Sequence, residues 1–146
     1  GAKDVIIVIP TNNPGKILLF AALNPKLAER VDFKGPSDFG GFASPEYKKI
    51  NPQGLYPACI CSDGTQLFES TVIVRYLQDK YASLLSESFV GATVAERTKA
   101  NLIISIHDQY ISGVNCTLSV TSTSPTYQEN HNQNIQDYSR RNGIVT

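Results

Sequence analysis
The chain has 146 residues, enough for one domain or for a small domain and part of another, and its 41% apolar share can bury an ordinary core. Its 13 basic residues balance 13 acidic ones, so no net field draws it to nucleic acid or to an anionic membrane. The apolar start Val5–Ile9 falls far short of the roughly 20 residues that span a bilayer, and with Pro10 and a polar turn behind it no secretion signal is expected.

The run Val5-Ile6-Ile7-Val8-Ile9 is β-branched throughout and predicts a strand buried on both faces, as at the centre of an α/β sheet. After the turn Thr11-Asn12-Asn13-Pro14-Gly15, a buried helix is expected from Lys16 to about Leu27, with Ile17, Leu18, Phe20, Ala21 and Leu23 facing inward. Asn24-Pro25 should kink or restart it. Val31-Asp32-Phe33 alternates as a second short strand, and residues 35–41 read as a loop. Ser44-Pro45-Glu46 predicts a short helix with Ser44 as N-cap, ended by Asn51-Pro52-Gln53-Gly54. Strands at 57–61 and 65–68 flank the hairpin signal Asp63-Gly64. Glu69-Ser70 then opens a helix whose Val72, Ile73, Tyr76 and Leu77 form one apolar stripe.

The order is βαβ, a short helix, then ββα. A polar linker follows at 83–91. Beyond it a helix is expected at about 93–112, with Leu102, Ile103, Ile106 and Tyr110 on one face. Residues 117–146 are rich in Ser, Thr, Asn and Gln and are expected to be weakly structured, with a marginal helix near 127–138. The expected division is therefore an α/β domain at 1–82, the linker at 83–91, and an incomplete all-helical region at 92–146.

Three sparse cysteines, Cys59, Cys61 and Cys116, give no disulfide framework and point to a reducing, cytoplasmic setting. Cys59 and Cys61 share one face of a strand and read as core residues. Two thiols without further ligands make no zinc site, so no metal is expected. His107-Asp108 reads as a surface pair.

Asn51-Pro52-Gln53-Gly54-Leu55-Tyr56-Pro57, then Asp63-Gly64, Leu67-Phe68-Glu69-Ser70, Ile73 and Arg75-Tyr76-Leu77, resembles the N-terminal domain of cytosolic glutathione transferases. The likeness covers about residues 4–81, and several fixed spacings agree at once. It implies a thioredoxin-like fold, glutathione as co-substrate, a small electrophile as second substrate, and a homodimer. It also implies that Glu69 binds the ligand's ammonium group and Ser70 its γ-glutamyl carboxylate. Physically, a helix start offers unpaired N–H groups and a partial positive charge that suit a carboxylate. On their own, the same two residues are also an ordinary helix start, with Ser70 as N-cap.

The resemblance further implies a cis Tyr56–Pro57 bond, although only about 5–6% of X–Pro bonds in folded proteins are cis. Tyr56 would then contact the ligand through its backbone. Lys48 and Lys49 stand near the expected partner of the glycyl carboxylate, and equally read as a solvated helix face. The chain departs from the family after the first strand, where a catalytic Tyr, Ser or Cys would stand. Aligned on Lys16-Ile17, that position is Thr11, with Asn12 and Asn13 beside it. A threonine hydroxyl can donate the same bond to a thiolate, and each unit of lowering from a free thiol value of ~8.5 needs about 1.4 kcal/mol. Two other roles stay open: a non-catalytic interaction domain like that of elongation factor 1 gamma, which the stretch from Asp32 to Ser70 also resembles, and a redox role through Cys59 or Cys61. A helix N-terminal Cys-x-x-Cys motif is absent, which counts against the last.

Overall fold
The computed structural model describes residues 1–85 and 91–108. The chain divides into two compact units, Gly1–Leu85 and Ser86–Thr146. The expectations for Tyr110, Cys116 and residues 117–146 lie outside the described residues.

In the first unit, β1 (Asp4–Ile7) leads into α1 (Asn12–Ala22) and α2 (Pro25–Ala28), then β2 (Val31–Lys34). Two 3-10 turns follow, at Pro36–Phe39 and Tyr47–Lys49. Next come β3 (Ala58–Ile60), β4 (Gln66–Phe68) and α3 (Ser70–Lys80). The strands lie in the order β2-β1-β3-β4, with β1–β2 parallel and the other pairs antiparallel. This is the expected thioredoxin-like βαβ-ββα arrangement.

Ile6 and Ile7 are adjacent in β1 and both fully buried, so the strand is covered on both faces as its unbroken β-branched run predicts. Ile7 packs with Tyr47, Ile50, Tyr56 and Ala58. Alternation turns Ile6 and its partner Cys59 to the opposite face, where α1 and α3 bury Ile17, Phe20, Ile73 and Leu77. Each such aliphatic side chain contributes roughly 1.5–3 kcal/mol.

Several boundaries differ from expectation. β1 ends at Ile7 and β3 starts at Ala58, because Pro57 has no N–H to extend the ladder. α1 starts at Asn12, not Lys16, since Pro14 falls in the first turn, where no backbone donor is needed. The restart at Pro25 is as expected, with Asn24 at the cap position and its amide donating to Phe20 O at 2.8 Å. Leu18 and Leu23 are exposed, so the inward face of α1 is Ile17, Phe20 and Ala21. Ser44 does cap its segment, its Oγ accepting from Tyr47 N at 3.0 Å, but only a single turn forms. In α3, Val72 is 46% exposed and the buried stripe is Ser70, Ile73 and Leu77.

Asp4 was not singled out by the sequence, yet it is a fully buried carboxylate. It accepts from Ser62 N at 2.7 Å, Tyr76 Oη at 3.0 Å, Lys80 Nζ at 2.7 Å and Tyr81 Oη at 2.8 Å. Burial pushes its pKa up. The bonds from Lys80, Ser62 N, Tyr81 and Tyr76 outweigh that and hold it below the usual carboxylate value. Lys80 is pulled down by desolvation and, more strongly, up by Asp4 and Tyr76.

In the second unit, α4 (Val94–Ile106) opens with a reciprocal cap: Thr93 Oγ1 accepts from Glu96 N at 3.2 Å, and Glu96 Oε2 from Thr93 N at 3.0 Å. His107 Nδ1 and Asp108 Oδ1 form an exposed pair at 3.0 Å, as expected. No helix among the described residues is long and apolar enough to cross a membrane.

Candidate functional site
Three segments of the first unit meet at a cleft of about 300 Å³: the start of α1 with Asn13, the loop from Asn51 to Pro57, and the start of α3 with Glu69 and Ser70. The Asn-Pro-Gln-Gly sequence accounts for the loop's shape. Asn51, 2% exposed, donates through Nδ2 to Leu55 O at 2.7 Å and accepts from Gln53 N at 3.1 Å. Gly54 sits at φ +68, where a Cβ would lie 3.1 Å from Lys48 Cε and 3.3 Å from Ala43 Cβ. Only glycine meets both demands without strain.

Behind the loop, Tyr47 and Tyr56 stack at 4.3 Å between ring centroids, and Phe42 stacks on Tyr56 at 5.3 Å. Tyr47 Oη donates to Leu55 O at 2.6 Å, and Tyr56 Oη accepts from Ala43 N at 3.1 Å. Burial raises the Tyr47 pKa, so the phenol stays a neutral donor. The Tyr56–Pro57 bond is cis. Tyr56 and Pro57 form the floor of a pre-shaped cleft edge.

Across from them, Glu69 takes the cap position of α3, and Ser70 is the first helical residue rather than the cap. Glu69 has φ 75 and ψ 117, a conformation strained for any residue with a Cβ and concentrated at binding sites in general. Glu69→Gly should therefore raise unfolding stability by up to about 1 kcal/mol, relief of strain partly offset by glycine's entropy. Chemical denaturation checks this, and a loss of stability would rule out strain at Glu69.

Ser70 is 7% exposed, and its Oγ accepts from Lys16 Nζ at 3.3 Å. A lysine drawn to the positive end of a helix is unfavourable for the bare dipole. It suits an anion placed between Lys16, Ser70 and the positive end of α3. With the Glu69 carboxylate alongside, this end of the cleft offers what an amino-acid head group needs: donors for a carboxylate and an acceptor for an ammonium.

The expected site residues are only partly gathered here. Tyr56, Pro57, Glu69 and Ser70 line the cleft. Lys48 and Lys49 are exposed on the neighbouring turn and do not line it; the Lys48 stem lies over Gly54. Thr11 is exposed at the cap position of α1, makes no side-chain cap bond, and does not line the cleft either. Asn13, which the sequence set beside Thr11, lines the cleft in its place. Lys16, Asn51 and Gln53 also belong to the site and were not named as binding residues. Asn51 and Gln53 carried a signal, since they stand in the segment that ends the short helix and bears the family resemblance, but no role in the site was drawn for their own side chains. Lys16 carried none, since its partner is 54 residues away.

Cys59 and Cys61 are buried and unpaired by disulfide, as expected of core residues. Burial, the neighbouring Cys61 and the Asp4 charge push the Cys59 thiol well up, so it is held protonated and is no nucleophile at neutral pH. Nothing here favours a redox role. Among the described residues no three or more His, Cys, Asp or Glu side chains form a metal-holding group.

Residues 2–80 match the family model described as glutathione S-transferase, N-terminal domain. Over 65 residues, 44% of the chain, the sequence is 38% identical to glutathione S-transferase T2 of Arabidopsis thaliana, and the match spans 10% of that relative's length. Poplar glutathione transferase F1 superposes with a TM-score of 0.65 at 22% identity, covering 99% of this chain and 68% of that one. Human glutathione transferase theta-2, solved with glutathione and an unknown ligand, gives a TM-score of 0.59 at 20% identity, over 72% of this chain and 42% of that one. A glutathione transferase homologue from Sulfitobacter with bound glutathione gives 0.65 at 13% identity, over 99% and 69%. At such identities the structural likenesses establish the thioredoxin-like fold.

Proposed function
The chain belongs to the glutathione S-transferase family through its N-terminal domain at residues 2–80, and from that premise we propose that it binds glutathione in the cleft and transfers the glutathione thiolate to a small electrophile. The observation that carries this reading is the head-group arrangement at α3. Ser70, Lys16 and the first-turn N–H groups would hold the γ-glutamyl carboxylate, and Glu69 the ammonium. The backbone of Tyr56, turned at Pro57, would pair with the cysteinyl segment. Lys48 and Lys49, exposed on the adjoining turn, are the cations proposed for the glycyl carboxylate.

The turn from Thr11 to Asn13 at the start of α1 is the proposed seat of the thiol, with Thr11 the hydroxyl in that turn. Ionisation passes the thiol proton to water and leaves an electron pair on sulfur. The new C–S bond then forms as the electrophile's leaving group departs. The reading carries with it a detoxifying role, a cytoplasmic setting and a homodimer, the last testable by sedimentation.

A second reading has one observation in its favour. No tyrosine, serine or cysteine stands at the start of α1, and Thr11 lies outside the cleft lining. That suits a non-catalytic domain like the one in elongation factor 1 gamma, docking a protein partner. Retention on immobilised glutathione, then conjugation assayed with an aromatic electrophile, separates the two. Binding with turnover supports the transferase; failure of both favours the docking domain.

A further inference from the structure
Two sulfurs that the cleft chemistry leaves idle stand in β3 and just beyond it. Cys59 pairs with Ile6 and Leu67 in the sheet, and Cys61 follows two residues on, its N–H bonded to Thr65 O at 2.7 Å. A spacing of two along extended backbone turns both side chains to one face, the face that α1 and α3 cover. Cys59 is fully buried, Cys61 is 3% exposed, and neither is in a disulfide. Their thiols interact with each other, and Cys61 also with the Tyr76 hydroxyl of α3. Behind that hydroxyl lies Lys80, its Nζ 2.7 Å from Tyr76 Oη. The fold thus holds a buried sulfur pair side by side, with Lys80 and Asp4 as the charges that reach it.

We infer that Cys59 and Cys61 form a two-coordinate site for a soft monovalent metal ion, copper(I) being the physiological member of that class. The inference stands apart from the glutathione reading. Structural zinc takes four ligands, and calcium or magnesium takes oxygen, so the pair suits none of these. Thiolates select copper(I), and such a closed-shell ion accepts two of them in line, so no third side chain is needed. On binding, two S–H bonds break, two S–Cu bonds form and both protons leave to solvent; no electron is transferred. The bis-thiolate carries one negative charge. Lys80 attracts it, and Asp4 repels it less for being paired with Lys80. Entry is through the exposed turn at 62–65, which Cys61 joins directly and which Gly64 N closes onto Cys61 O at 2.8 Å.

The test titrates copper(I), kept reduced with ascorbate under nitrogen, into the full chain against bicinchoninate, whose coloured complex reports the ion not taken up. Wild type should bind one ion per chain. Cys59→Ser and Cys61→Ser should each weaken that binding by about a hundredfold or more, because a hydroxyl is a hard ligand that keeps its proton. Cys116→Ser should leave it unchanged. Urea unfolding of the wild type, with and without the ion, is the second measurement. An ion held by the folded chain raises the midpoint, whereas one captured by thiols freed on unfolding lowers it. Wild-type retention by Cys59→Ser, a loss confined to Cys116→Ser, or a lowered wild-type midpoint would each overturn the inference. Where a serine variant fails to fold by circular dichroism, the wild-type midpoint decides.

Discussion

Replacing Asp4 by alanine should lower the unfolding free energy by about 3 kcal/mol, the low end of the range for breaking a buried ion pair. The carboxylate is wholly buried and Lys80 is 30% exposed, so the stranded lysine recovers some hydration and the upper end is not reached. What remains is a Ser62 N–H and the hydroxyls of Tyr76 and Tyr81 left without their acceptor. Asp4→Asn keeps one acceptor and should cost less. Urea unfolding of both variants measures this, and a loss below 1 kcal/mol for alanine would mean that water already reaches the site.

The pair also sets a pH dependence. Asp4 has a folded pKa below its ordinary 3.8, so its contribution is present above that value and is lost as pH falls through the folded one. Lys80 has a folded pKa above its ordinary 10.5, so its contribution is present below that value and fades as pH rises past it. Wild type should therefore be flat through neutrality and weaken at both extremes. In Asp4→Ala the acid-side loss should shrink.

Ser70→Ala should weaken glutathione binding at least tenfold, while changing stability by less than about 1 kcal/mol. A hydrogen bond to a charged group is worth roughly 1.5–3 kcal/mol, and tenfold in affinity is about 1.4. The side chain is small, so little packing is lost, and the α3 cap is Glu69 rather than Ser70, so the helix start survives. Lys16 loses its Ser70 acceptor in the variant, which makes Lys16→Met an informative companion. Calorimetry giving wild-type affinity for Ser70→Ala would remove Ser70 from the site.

The order of elements was legible because each carries a local signal: the β-branched run at 5–9, the Pro25 restart, the Asp63-Gly64 hairpin, the Glu69-Ser70 helix opening. The loop from Asn51 to Pro57 was legible too, since its shape is made by neighbours in sequence. What escaped were arrangements assembled from afar. Asp4 meets partners 58 to 77 residues away, and no periodicity marks a lone aspartate as buried. Lys16 meets Ser70 across 54 residues. The start of α1 was misjudged because Asn-Asn-Pro-Gly is a turn by composition, and only the fold turns that proline into a first-turn residue. Leu18 and Val72 looked like core on helical spacing, yet each lies just off the narrow buried stripe of its helix.

The central place of β1 bears on the order of events during synthesis. β3, β4 and α3 follow one another between residues 58 and 80 and can assemble through near neighbours. Nothing joins them to β2 until the opening strand is seated between, so the sheet closes only when Ala58–Ile60 has emerged. At a translation pace of about 5–20 residues per second, that leaves the β3-facing edge of β1 unpaired for roughly 3–10 seconds, although β2 can take the other edge sooner. A β-branched stretch without charge is what a growing chain can least leave in the open. A strand that ends covered on both faces thus waits for its second neighbour through most of the domain's synthesis, and is a stretch a ribosome-associated chaperone would shield.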